Sequence, residues 1–475
     1  MAAVADLDVV LYGAYGCVGH FAAFHLANQS DLSWAIAGRN ETKLHALAAA
    51  LAPYPSGRPE VIVAPLTGDL TPWVSRTKAI ATAAGPFSIH EGENLVASCA
   101  KLGVHYADTS DEFYWQRRMI ERYDTTAKAS GARLSLASGF CALAGDLGAA
   151  LALDALPVGQ PAKVDAWLER YSGGVSAGVI ATTHINASYP KAWATDPYVL
   201  APNVPTALRR DTLVEGMRFP AVVRGEGLLV PNLFGPYDAR LMRRSFVRRN
   251  QTVALRAGAT PTLYAEWLAL ILRHPSAWGS LTTCPADVLM RDGSWRYRVI
   301  ARTSDGLVDD GHADGHDDDA SEPASKAAGA AATVVLSGSG DPGYHFTALA
   351  LSETALCLAG KLASGVKCRG AFGGGVLTPA LAVDVDAMRT RLESIGLLHV
   401  EVTKGEVRYD DNADTSAEGD DGRLARDGVD QDVTRRDRGP GQRQEEVARL
   451  LDTLGQAETE SRRAQVLDVL LEKRP

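Results

Sequence analysis

Seven residues near the N-terminus, Gly13-Ala14-Tyr15-Gly16-Cys17-Val18-Gly19, leave this chain few folding options, because they directly follow the apolar run Leu7–Tyr12. Glycines at such a point allow a tight strand-to-helix turn and let a pyrophosphate approach the backbone. The helix that follows then offers open N–H groups and the positive end of its dipole. The spacing is G-x-x-G-x-x-G rather than G-x-G-x-x-G, but its place between a strand-like run and the helical pattern Gly19–Ala27 points to a dinucleotide-binding βα unit.

The surrounding sequence carries the same rhythm. Apolar runs at Trp34–Ala37, Glu60–Ala64, Ala79–Ala84, Val104–Ala107 and Arg133–Ala137 alternate with helical patterns such as Glu41–Ala52 and Glu93–Leu102. That alternation predicts βαβ units and a parallel sheet. The expected fold is α/β, with a Rossmann-type domain over 1–145 and a second, α+β domain over 146–400. In the second domain we expect a helix at Leu147–Leu156 and strands at Lys163–Arg170, Trp295–Arg302 and Thr333–Leu336, the last two forming a hairpin.

Its loop is lengthened by 304–331, rich in Asp, Gly, Ala and Ser, which cannot bury enough apolar surface to repay its ordering entropy and is expected to be disordered. His312 and His316 lie among those aspartates, but a solvated acidic loop is the reading, and no metal is expected. The charged stretch 409–442 reads as a disordered linker and 443–475 as a terminal helical segment.

Cofactor choice is read after the second strand, where Gly38-Arg39-Asn40 stands with Lys43 a turn further on. NAD-binding domains usually place a carboxylate here for the ribose 2′-hydroxyl. A guanidinium suits a 2′-phosphate instead, so NADP is expected in preference to NAD. Asp69 is placed to meet the adenine, and Gly85-Pro86 to lie near the nicotinamide. The candidate cofactor-binding residues are therefore Gly13, Tyr15, Gly16, Cys17, Val18, Gly19, Arg39, Asn40, Lys43, Asp69, Gly85 and Pro86.

The net charge of −9 argues against a nucleic-acid partner or a basic membrane patch. The six scattered cysteines read as reduced, buried thiols of an intracellular protein, and no secretory signal or spanning segment is expected. Leu263–Leu272 reads as a core helix, with a helix lying on a membrane surface as the alternative. Gly174-Val175-Ser176-Ala177-Gly178 matches a nucleophile elbow, but a serine hydrolase is not the expected function.

Further motifs follow in order: Ala84-Gly85-Pro86-Phe87, His105-Tyr106-Ala107-Asp108, Gly139-Phe140, Asp146-Leu147-Gly148, Asp238-Ala239-Arg240 with Arg243-Arg244-Ser245, Gly340-Asp341-Pro342-Gly343-Tyr344, Glu353–Leu358 and Gly373–Ala380. With the glycine turn, this ordered set resembles the saccharopine dehydrogenase-like oxidoreductases, including bacterial trans-acting enoyl reductases and eukaryotic lipid-droplet-associated relatives. The resemblance spans most of 7–400. It implies a Rossmann domain, a saccharopine reductase-like α+β domain whose C-terminal part packs back on the first, and a reductase role in lipid metabolism. The chain departs from the family pattern at Cys141 and Ala144, at Asp111 where a Gly usually precedes Glu112, and at Val179.

No Tyr-x-x-x-Lys dyad is present, so no short-chain-dehydrogenase proton relay is available. Tyr106, His105 and Asp108 are named as proton donors at strand ends, without a catalytic assignment. The expected function is NADP-dependent reduction of a lipid-like or polyketide-like carbonyl or enoyl substrate. Alternatives are a non-catalytic lipid-droplet or membrane-surface protein that keeps the fold, and a saccharopine-type amino-acid dehydrogenase. A small-molecule partner is expected, a homodimer fits, and the location is cytoplasmic or at a lipid-droplet or membrane surface.

Overall fold

Six consecutive buried residues, Leu7–Tyr12, form β1, and an unbroken apolar run of this kind belongs at the centre of a parallel sheet covered on both faces. The structure, a computed structural model, describes residues 5–174, 182, 185–186, 193, 195–209, 221–223, 227–230, 232, 234–261, 263, 290, 292–303, 329–362, 370 and 372–407. After β1 come α1 (Cys17–Ala27), β2 (Trp34–Gly38), α2 (Glu41–Leu51), β3 (Glu60–Val63), α3 (Thr71–Val74), β4 (Thr77–Thr82), α4 (Gly92–Leu102), β5 (His105–Asp108), α5 (Phe113–Ser130) and β6 (Arg133–Ser135). Parallel pairing sets them in the order β3-β2-β1-β4-β5-β6, the strand order of doubly wound dinucleotide-binding sheets. The order reverses between β1 and β4, so the ligand crevice of such a sheet lies beyond the carboxyl ends of these two strands.

The next elements are α6 (Phe140–Asp154), β7 (Ala162–Ser172), a small hairpin of β8 (Ala221–Val223) and β9 (Gly227–Leu229), α7 (Gly235–Arg248), β10 (Val253–Ala259), β11 (Ser294–Thr303) and β12 (Gly329–Ser339). After them come α8 (Thr347–Leu358), β13 (Gly375–Leu377), α9 (Pro379–Ala382), α10 (Val385–Ser394) and β14 (His399–Val407). The second sheet runs β10-β7-β11-β12-β14, with β10 parallel to β7 and the remaining pairs antiparallel. The hairpin partners β11 and β12 pair from Ser294↔Ser339 to Arg302↔Ala331. β12 already begins at Gly329, so the last three residues of 304–331 are strand rather than insertion.

β13 does not join the second sheet. It adds in parallel to β6 as the outer strand of the first. α8 likewise packs on α1 and on β4 and β5, and it is buried along its whole length. One hydrophobic core runs from β1 and α1 through α6 and α8 to β7, β11 and β12. A second core fills the opposite face of the first sheet.

Among the described residues no helix is long and apolar enough to cross a membrane, and no cluster of metal-ligating side chains is found. The Tyr264–Leu272 run, Ser176, His312, His316 and the segments 409–442 and 443–475 lie outside the described residues.

Candidate dinucleotide site

The glycine turn connects β1 to α1 at the reversal point of the sheet. Gly13 has φ +79°, and a Cβ there would meet Ala84 at 3.0 Å, so only glycine holds this turn without strain. Gly16, the residue before α1, donates its N–H to Gly13 O at 3.0 Å and closes the turn. A Cβ on Gly19 would stand 2.2 Å from Gly13 O, so helix and turn touch through backbone alone. His20 N donates to Gly16 O at 2.7 Å as the first bond of α1. The N–H groups of Val18 and Gly19 therefore have no acceptor inside the helix. This backbone cradle, tight on the protein side and lined with N–H groups, fits a pyrophosphate.

Around the carboxyl end of β2 the structure gathers Tyr15, Arg39 and Lys43. A Cβ on Gly38 would stand 2.8 Å from the Tyr15 ring, so the missing side chain is what lets that ring lie there. The Lys43 ammonium sits 5.6 Å from the centre of the same ring. Arg39 is exposed, and its charge reaches two residues beyond it, one at the carboxyl end of β1 and one in the loop after β4. Burial raises the Tyr12 phenol to about 12 although the Arg39 charge opposes it. At His90, burial and the Arg39 charge act together and hold the ring below its ordinary pKa.

His90 follows the cis Gly85-Pro86 peptide in the β4–α4 loop, and its N–H donates to Pro86 O. Sequence reading did not single it out, since nothing local to a lone histidine shows that it will face an arginine fifty residues away. Asn40 and Asp69 have local work as well: the Asn40 side chain accepts from Lys43 N, and the Asp69 carboxylate from Thr71 N, each at 2.9 Å.

Cys17 opens α1, and both it and Cys357 belong to disulfides, which corrects the expectation of six reduced thiols. Cys99 is free and fully buried, and burial pushes its thiol well up.

The named proton donors are tied down. His105 Nδ1 accepts from Arg133 N at 3.1 Å, and burial with the Arg133 charge lowers its pKa to about 4. Tyr106 donates to Asp108 Oδ2 at 2.9 Å and has no exposed surface. Asp108 also accepts from Ser110 N, Ser110 Oγ and Ala137 N. Burial lifts its carboxyl to about 6 against those bonds.

In the neighbouring loop, Glu112 accepts from Phe87 N at 2.5 Å and Ser88 N at 3.1 Å, lashing the β5–α5 loop to the loop after β4. Burial raises its carboxyl against those bonds.

Other family-like motifs act as braces between the two sheets. Asp146 on α6 accepts from Ser245 Oγ on α7 and from Ala380 N on α9. Asp341 accepts from Gly174 N and Tyr344 N at 2.6 Å each. Arg244 donates to the carbonyls of Leu200 and Val376. Glu353 on α8 is fully buried and ties α1 to α10, through His25 Nε2 at 2.6 Å and Arg391 Nε at 2.8 Å.

The chain is similar to several known proteins. Residues 9–134 match the family model of the saccharopine dehydrogenase NADP-binding domain. A candidate trans-acting enoyl reductase of Mycobacterium tuberculosis is 28% identical over 426 residues, spanning 82% of this chain and 96% of the relative. A trans-acting enoyl reductase of Mycobacterium bovis is 33% identical over 265 residues, spanning 50% of this chain and 61% of the relative. Among solved structures, apo saccharopine dehydrogenase (L-Glu forming) from Saccharomyces cerevisiae superposes with TM-score 0.44 at 11% identity, covering 84% of this chain and all of that one. Residues 9–134 thus carry an NADP-binding domain of the saccharopine dehydrogenase type, and the chain is similar over most of its length to a candidate trans-acting enoyl reductase.

Proposed function

We propose that this chain reduces the double bond of an enoyl group on a lipid-like or polyketide-like substrate, with NADPH as reductant. The observation that carries the reading is the Gly13–Gly19 cradle at the β1/β4 reversal with Arg39 and Lys43 beside it. The enoyl group is taken from the relatives named trans-acting enoyl reductases, one of them matched over 96% of its length.

In this reading the N–H groups of the Gly13–Gly19 turn hold the pyrophosphate, with Tyr15, Gly16, Cys17 and Val18 contributing backbone. Arg39, Asn40 and Lys43 receive the 2′-phosphate, Asp69 lies toward the adenine, and Gly85-Pro86 borders the nicotinamide. The bound cofactor supplies a hydride. The chain orients it, and the loop after β4 closes one side of the reacting region.

Two measurements test this. In a fluorescence titration, wild type is expected to prefer NADPH over NADH. Arg39→Ala is expected to lose about 1.5–3 kcal/mol on NADPH, the range for a hydrogen bond to a charged group, and little on NADH. Equal losses on both nucleotides would remove Arg39 from the 2′-phosphate. Incubation with NADPH and trans-2-decenoyl N-acetylcysteamine thioester is then expected to consume NADPH and add two hydrogens across the double bond. Reduction at the carbonyl alone, or none with NADPH bound, would overturn the enoyl assignment.

A further inference from the structure

Three carboxyl groups lie within five residues at the carboxyl end of β5, and they are used differently. Asp108 accepts four hydrogen bonds and Glu112 two backbone N–H groups. Asp111, between them, accepts none from another described residue. Its immediate neighbours Ser110 and Glu112 are each 1% exposed, whereas Asp111 is half-buried.

The Asp111 backbone carbonyl accepts from Asn186 Nδ2 at 3.1 Å. The same Nδ2 donates to Tyr237 Oη on α7 at 2.7 Å. Phe113 and Tyr237 rings meet edge-on at 6.1 Å. Asp111 thus stands where the loop after β5 meets α7, and Glu112 binds that loop to Phe87 and Ser88 beside the proposed nicotinamide position.

We propose that Asp111 is the proton donor of the reduction. This rests on the function proposed above and deepens it. Enoyl reduction needs one hydride at the β-carbon and one proton at the α-carbon. NADPH supplies the hydride and leaves as NADP+. The electron pair of the double bond takes the Asp111 proton at the α-carbon, and the carboxylate regains a proton from water. A donor must hold its proton near neutral pH. Burial raises the Asp111 carboxyl to about 7, helped by the charges of Glu112 and Asp108 and opposed only by its own backbone N–H. From α7 the ionisable groups brought to this loop among the described residues are Tyr237, held through Asn186, and Arg240, stacked 4.2 Å from the centre of the Phe113 ring.

The test needs no substrate. NADP+ carries a positive ring where NADPH is neutral, and a nearby positive charge favours the carboxylate. Calorimetric titration at pH 7, in buffers of different ionisation enthalpy, is expected to show release of up to about half a proton on NADP+ binding, as follows for a group titrating at about 7. NADPH binding is expected to release only the small fraction that the 2′-phosphate, with its second pKa of about 6, gives up beside Arg39 and Lys43, and Asp111→Asn is expected to show that small release equally with both nucleotides. Wild-type affinity for NADP+ is then expected to rise more steeply than that for NADPH as pH increases from 6 to 8, which tests the same point even if the variant fails to fold. Equal proton release from wild type and Asp111→Asn, or equal pH dependence for the two nucleotides, overturns the role of Asp111 and leaves the proposed function standing. Failure of wild type to bind either nucleotide overturns both.

Discussion

Glu353→Ala is expected to lower folding stability by about 3–5 kcal/mol, the cost of removing one partner from a buried ion pair. Glu353 has no exposed side chain, and it accepts from Arg391 Nε at 2.8 Å, Arg391 Nη2 at 2.9 Å and the His25 ring at 2.6 Å. Arg391 is itself only 14% exposed and donates to Gln29, so the variant leaves a nearly buried guanidinium without its carboxylate. Glu353→Gln keeps the shape and one acceptor and should cost less. A Glu353→Ala/Arg391→Ala double-mutant cycle should return a coupling well above the ~0.2–1 kcal/mol of exposed pairs.

The pH dependence has a defined sign. Burial raises the Glu353 carboxyl, but its bonds to His25 and Arg391 outweigh burial and hold it below its ordinary value. A group with a depressed folded pKa gives stability that is present above its unfolded pKa, about 4.3, and that is lost as pH falls through the folded value. The gap between wild type and Glu353→Gln, measured by denaturant midpoint, should therefore hold at pH 6–7 and narrow below about pH 4.5. A Glu353→Ala midpoint equal to wild type would remove this triad from the stability of the fold.

The same residue shows where sequence reading stops. Glu353 in a stretch such as Thr347–Leu358 reads as one charge on a helix. Its partners stand 38 and 328 positions away, and no local pattern announces them. α8 is buried on every side, so it lacks the one-sided periodicity that marks a helix on a surface. β13, three residues long, owes its place to pairing with β6, which no short run can signal.

By contrast β1, β2 and β3 were legible because continuous apolar runs bounded by turn residues can hardly fold otherwise, and their ends agree within a residue of Leu7–Tyr12, Trp34–Gly38 and Glu60–Val63. The glycine turn was legible for the same reason: backbone geometry is local. Arg39 and Lys43 could be named from their place after β2, whereas His90 and Asp111 acquire meaning only once β4 and β5 lie side by side.

Gly19→Ala is the substitution expected to do most damage to cofactor binding. Helix propensity alone favours alanine over glycine by about 1 kcal/mol inside a helix, so a purely local argument predicts stabilisation. The packing argues the other way and is larger. The added Cβ would stand 2.2 Å from Gly13 O, 2.9 Å from Gly13 C and 3.0 Å from Ala14 Cα, all of them backbone, and none can swing aside as a flexible side chain would. Overpacking of this kind costs about 1–3 kcal/mol, and relief requires α1 to move off the turn or the Gly13 carbonyl to rotate. Either movement carries the N–H groups of the first turn away from the phosphate position. Losing one hydrogen bond to a charged phosphate costs about 1.5–3 kcal/mol, so NADPH affinity should fall by about 10- to 100-fold. Gly373→Ala serves as the control, because a Cβ there meets nothing within 4 Å and both stability and NADPH binding should stay close to wild type. If Gly19→Ala bound NADPH as wild type does, the contact between α1 and the turn would not position the cofactor, and the Gly13–Gly19 cradle would lose its claim to the pyrophosphate.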